Sequence, residues 1–134
     1  MKVARLDETR LLASDPQMFG GSRVGETETF QVEFLVNDPR GNIAHEAFLA
    51  GSTVNWAFWH DEVHVVTRGQ ARVTYTLGPN HRKQVERTFQ AGDAYLIPAG
   101  ARVRFEIGEE PYIHVCVIMP RFDYSKEERH DSYE

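Results

Sequence analysis

From Thr29 onward the chain alternates. Phe30, Val32, Phe34 and Val36 occupy every second position with Gln31 and Glu33 between them, the period of a strand that buries one face. Asn37-Asp38-Pro39-Arg40-Gly41 predicts a turn, a second strand follows over 42–49, and Gly51-Ser52 marks the next break. Val63 to Thr67 and Ala71 to Leu77 read as two strands about a Gly69-Gln70 turn, a hairpin pattern. Further strands are expected over 84–89, 94–97, 102–107 and 112–119, separated by short runs rich in Gly, Pro, Asn and Asp.

Two of these strands carry extra information. In 102–107, Val103, Phe105 and Ile107 oppose Arg102, Arg104 and Glu106, so the arginines are expected in solvent. The last strand is apolar at both parities, which marks a central strand or an interface. Ahead of Thr29 the chain is polar; it predicts one helical turn near Glu8 to Ala13 and otherwise an arm that crosses to a partner subunit. About nine or ten strands without a long helix give an all-β fold, a sandwich or barrel. A single domain is expected, with an arm over 1–25, a β-barrel over 26–120 and a polar tail over 121–134.

Composition narrows the setting. A chain of 134 residues buries roughly 68–70% of its unfolded surface, enough for a core without staples. Its single cysteine, Cys116, lies in the run YIHVCVIMP, which excludes an intrachain disulfide and predicts a buried, unreactive thiol. The net charge of −5, with both signs interspersed, disfavours nucleic acid or an anionic membrane as partner. No apolar run approaches a membrane span and the first residues lack a secretory layout, so a cytoplasmic protein is expected.

The candidate chemistry is concentrated in Trp56 to Gly69, WAFWHDEVHVVTRG, which holds both tryptophans, two of the six histidines and Glu62. His60, Glu62 and His64 are spaced by two, which on one extended strand puts all three on one face. Residues four apart on a strand are about 13 Å apart, so His60 and His64 are not expected to share one ion. Glu62 with His64 and with His114 of the last strand remains a metal set by type and reach.

Glu62, six further residues and Gly69, followed by Gly92, five residues, Pro98, one residue and Gly100, resemble the two motifs of the cupin superfamily. The resemblance covers roughly Phe48 to Pro120, and the DEVHVV run is similar to ethanolamine-utilisation-like cupins. It implies a cupin-type double-stranded β-helix, a jelly-roll barrel, that forms a homodimer and holds a small-molecule ligand in its interior. In metal-binding cupins the first motif carries two histidines, one residue apart, before the glutamate, and the second a histidine three residues after its last glycine. Here that last position is Val103, and the first two are Asn55 and Ala57, Trp56 and Phe58, or Ala57 and Trp59, depending on register. Of the family's ligands only Glu62 remains.

Three readings of the histidines stay open: a divalent transition metal on Glu62, His64 and His114, core histidines satisfied by Glu62 or tyrosine hydroxyls, or a metal-free acid/base pair of Glu62 with His60 or His64. Trp56, Phe58 and Tyr95 are the expected ligand walls, and Arg87, at the same parity as Val85 and Phe89, the cation for an anionic group. His45, His81 and His130 sit in polar or turn contexts and are expected to be exposed. The functional expectation is a small-molecule enzyme of lyase, isomerase or oxygenase type acting on a ring-bearing or carboxylated metabolite. The alternative is a non-catalytic ligand-binding or sensor module.

Overall fold

The computed structural model describes residues 1–20 and 27–120. Among the described residues ten strands form two antiparallel sheets. The first runs β1 (Gln17–Gly20), β2 (Thr27–Asp38), β3 (Gly41–Phe48), β10 (Tyr112–Ile118), β5 (Glu62–Arg68), β8 (Ala94–Ile97); the second runs β4 (Thr53–Ala57), β9 (Arg102–Ile107), β6 (Gln70–Thr76), β7 (Gln84–Gln90). Their facing sides enclose one core that includes Phe30, Phe48, Val66, Val73, Phe105 and Tyr112. Among the described residues no helix is long and apolar enough to cross a membrane.

Strand positions follow the alternation, but sheet membership does not. The Trp56 to Gly69 stretch is two strands in different sheets, β4 and β5, joined by a bend at Trp59 and His60. Backbone bonds between Phe58 and both Gly100 and Ala101 hold the bend, as does Asp61, whose side chain accepts from the Ala99 amide at 2.7 Å. Likewise β5 and β6 are not a hairpin: β5 pairs with β10 and β8, whereas β6 pairs with β9 and β7. Gly69 makes the crossing; its φ is +85°, and a Cβ there would meet the Pro111 carbonyl oxygen at 2.3 Å, so only glycine fits.

The described part of the N-terminal segment packs on the large sheet. The α1 helix (Glu8–Ala13) is capped by Asp7, which accepts from the Arg10 amide, and β1 adds an edge strand to β2. Gln31, at an outward polar position, is buried because its amide donates to the carbonyls of Leu12 and Ser14, both at 2.9 Å. Leu11 of α1 packs with Ala47 and Ile113 on the outer face of the large sheet. That cover explains the two-sided apolar β10, which lies centrally between β3 and β5.

The same cover corrects the reading of His45 as exposed. It is 3% exposed, α1 packs on β2 and β3, and burial lowers its pKa against the pull of Glu33 and Glu8. His81 is half-buried in the β6–β7 turn, with Nδ1 at 2.8 Å from the Thr76 hydroxyl. Phe34 was expected among the buried set and is exposed, because the β2–β3 register shifts between Phe34 and Val36. His130 and the tail over 121–134 lie outside the described residues, as do residues 21–26, where the arm ends and the barrel was expected to begin.

Candidate active site

The inward parity of three adjacent strands of the large sheet assembles the polar groups. β3 contributes Glu46 between Ala44 and Phe48, β5 contributes Glu62 and His64, and central β10 contributes Tyr112, His114 and Cys116. Pairing sets their heights: His114 stands opposite Glu46, Cys116 opposite His64, and Ile118 opposite Glu62. His114 pairs with Val66, so His64 and His114 stand on diagonal positions of neighbouring strands, and the two imidazoles stack, with centroids 4.3 Å apart and planes at 23°.

A chain of hydrogen bonds runs through the cluster. His64 Nε2 lies 3.1 Å from Glu62 Oε2 and its Nδ1 3.2 Å from the Tyr95 hydroxyl, which in turn lies 2.8 Å from that of Tyr112. The Cys116 thiol donates to the same Glu62 Oε2 at 3.1 Å. Neither ring nitrogen of His114 has a well-formed hydrogen bond among the described residues; its Nε2 is 3.9 Å from Glu46 Oε1.

Burial governs the proton affinities. It pushes the Glu46 carboxyl up to about 8, with the nearby Glu62 adding to the shift, so Glu46 holds a proton at neutral pH. Burial, and then the neighbouring His64, press His114 well below the usual imidazole value. The Cys116 thiol is raised by burial and by Glu46 and Glu62, and the Tyr95 hydroxyl by burial and Tyr112. The cluster therefore contains a carboxylic acid, a neutral imidazole and a thiol that keeps its hydrogen.

Above Glu46, Glu62 and His64 is a cavity of about 100 Å³ walled by Phe19, Phe30, Phe48, Trp56 and Phe58. Trp56 meets Phe30 edge-on at 5.9 Å, and Phe30 stacks on Phe19 at 4.6 Å. Trp56 and Phe58, expected as ligand walls, both line this cavity. Tyr95 and Arg87 line a different cavity, and Trp59, 68% exposed, lines neither.

His60 parts company with Glu62 and His64. It sits in the bend before β5, not on the strand, and faces a groove with Asn37, Asn42 and Met119. The same-face expectation required a strand running unbroken through His60, and the sheet change interrupts it. Sequence reasoning passed over Glu46 and treated Cys116 as inert packing. Both had a readable signal: Glu46 shares parity with Ala44 and Phe48, and Cys116 with His114.

As a metal centre the interior differs from the family pattern. Val103 is a buried core residue on β9, paired with Trp56 of β4; it offers no donor, and Trp56 and Phe58, which line the interior cavity, offer none that fits an ion. Donor atoms of Glu62, His64 and Cys116 do lie within 4.8 Å of one another, a carboxylate, imidazole and sulfur set suited to a borderline divalent ion. Cys116 takes the place in this set that His114 was expected to fill.

No family model matches the sequence, and no curated protein matches it. Solved structures match by fold. KdgF from Halomonas sp. superposes with a TM-score of 0.58 at 18% identity, over 84% of this chain and 94% of its own. EutQ of Clostridium difficile gives 0.54 at 18% identity, over 73% of this chain and 66% of its own. A cupin superfamily protein from Desulfitobacterium hafniense gives 0.51 at 14% identity, over 74% of this chain and 82% of its own.

Proposed function

On a cupin fold whose motif positions carry no histidine, we propose an enzyme that moves protons, of lyase or isomerase type, acting on a ring-bearing or carboxylated metabolite. The observation that carries this is the pairing of two carboxyls in one interior: Glu46, which burial keeps protonated at neutral pH, and Glu62, which accepts from Cys116 and bonds His64. Two carboxyls in unlike surroundings divide the roles of acid and base. Glu62 takes the substrate proton, His64 steadies the carboxylate, and Glu46 returns a proton to the developing negative charge. The aromatic walls exclude water and seat a flat substrate. Chemistry of this class occurs on the fold: DddQ of Ruegeria pomeroyi is a DMSP lyase that superposes with a TM-score of 0.57 at 14% identity.

Glu62, His64 and Cys116 are the residues that would hold a divalent ion, which would supply Lewis acidity when bound; holding it requires Cys116 to give up the hydrogen that it donates to Glu62. A second reading, a ligand-binding module without turnover, is favoured by the full satisfaction of His64, 1% exposed and bonded at both nitrogens.

Deuterium wash-in separates the two readings. A panel of cyclic and carboxylated metabolites is incubated in D₂O with the wild type and with Glu62→Gln, and carbon-bound protons are followed by NMR. Enzyme action predicts exchange in at least one compound that falls by roughly 100-fold or more in the variant. Tight binding with no exchange by either protein would establish the module instead.

A further inference from the structure

The barrel interior has a second opening. β7 ends the small sheet and β8 ends the large one, and no ladder joins them. Where these edges part lies a cavity of about 310 Å³, walled by Val73, Leu77, Phe89, Tyr95, Ile97 and Val103. None of these residues lines the smaller cavity above Glu46 and Glu62. Its size is that of a small-organic-molecule site, and hydrocarbon makes up most of its wall.

Arg87 is the cation at this wall. It is exposed, its Nε donates to the Tyr75 hydroxyl at 3.3 Å, and it makes no salt bridge among the described residues. Arg72, on the neighbouring strand, is by contrast engaged by Glu106 and Glu86. A guanidinium whose terminal nitrogens have no partner among the described residues, at the edge of an apolar chamber, matches a carboxylate whose body enters the chamber. Tyr95 is the floor of that chamber: its ring stacks on Phe89 at 4.2 Å, and its hydroxyl reaches His64 at 3.2 Å.

We infer that this cavity is a binding site for a monocarboxylate with an apolar body, an aryl or short alkyl acid, with Arg87 on the carboxylate and the ring or chain against Tyr95 and Phe89. Because Tyr95 joins the chamber to His64, occupancy is felt in the acid/base cluster. The inference does not require turnover, so it stands or falls separately from the catalytic proposal.

The probes are phenylacetate and hexanoate, with 2-phenylethanol and hexanol as neutral counterparts, titrated into the full chain by calorimetry and by NMR of the histidine imidazoles. At least one acid is expected to bind saturably, roughly tenfold more tightly than its alcohol. Arg87→Met and Leu77→Glu, both at exposed positions, are each expected to weaken it by a similar factor. The His64 imidazole resonances should shift on binding in the wild type and not in Tyr95→Phe. Absence of saturable binding at millimolar concentration, or equal affinity for acid and alcohol or for wild type and Arg87→Met, would overturn the site. Binding that leaves His64 unmoved would overturn the coupling.

Discussion

The two walls of this barrel are built alike and filled differently. The small sheet turns Val54, Val73, Val103 and Phe105 inward, while the large sheet turns Glu46, Glu62, His64, His114 and Cys116 inward across three neighbouring strands. In metal-binding cupins, the resemblance implies, the second motif carries a histidine three residues after its last glycine. Here β9 has Val103 at that place and β4 has Trp56 beside it, and the ionisable groups have gathered on one side. A cluster confined to one sheet is held in register by backbone ladders, while the apolar wall opposite keeps its dielectric low. That combination raises Glu46 and lowers His114.

The largest effects should separate the walls cleanly. Glu62→Gln is expected to abolish most exchange activity while leaving the thermal midpoint close to wild type. Phe105→Ala, on the apolar wall and 0% exposed, is expected to cost about 3–5 kcal/mol of stability by denaturant unfolding. A Glu62→Gln protein that unfolds as readily as Phe105→Ala would show that the polar wall is structural.

Next in size is the pH response. The Glu46 carboxyl rises from 4.5 to about 8 in the folded chain, so between those values the folded state keeps a proton that the unfolded state has released. Stability therefore falls as pH rises through this window, by an amount on the order of a few kcal/mol. Glu46→Gln should remove the fall between 4.5 and about 8. His45 and His114 act in the opposite direction: both are held neutral by burial, so stability is lost as pH falls below the ordinary histidine value. Thermal midpoints of wild type and Glu46→Gln across pH 5 to 9 (about the working range of these groups) check both limbs.

Tyr95→Phe removes the hydroxyl shared by His64 and Tyr112 and should cost about 1–3 kcal/mol, because it leaves buried partners unpaired. The smallest effect is expected at the solvent face of the small sheet. Arg72→Ala breaks the exposed pair with Glu106 and should change stability by less than about 1 kcal/mol. A larger change there would mean that the outer face contributes more to the fold than an exposed ion pair does.

Much of this architecture was readable because strand alternation records which way a side chain points. It placed β8 and β9, the outward Arg102 and Arg104, and the central β10. Alternation does not record which sheet a strand joins. The bend at Trp59 and His60 and the crossing at Gly69 depend on long-range partners, Gly100 and Ala101 in one case and Pro111 in the other, and so His60 was grouped with the wrong neighbours. His45 escaped for a similar reason, since its cover comes from a helix more than thirty residues earlier in the chain. Glu62 and His64 were legible as a pair, but Glu46 and Cys116 join them only through the order β3-β10-β5.

The central claim is that a protonated carboxylic acid and a working carboxylate share this interior at neutral pH. Carbon-13 NMR of protein labelled at the glutamate side-chain carboxyl, titrated through neutrality with Glu46→Gln for assignment, measures it directly. The account predicts one glutamate titrating at about 8 whose signal is missing in the variant. A wild type in which every glutamate, Glu46 included, titrates near the ordinary carboxyl value would contradict it.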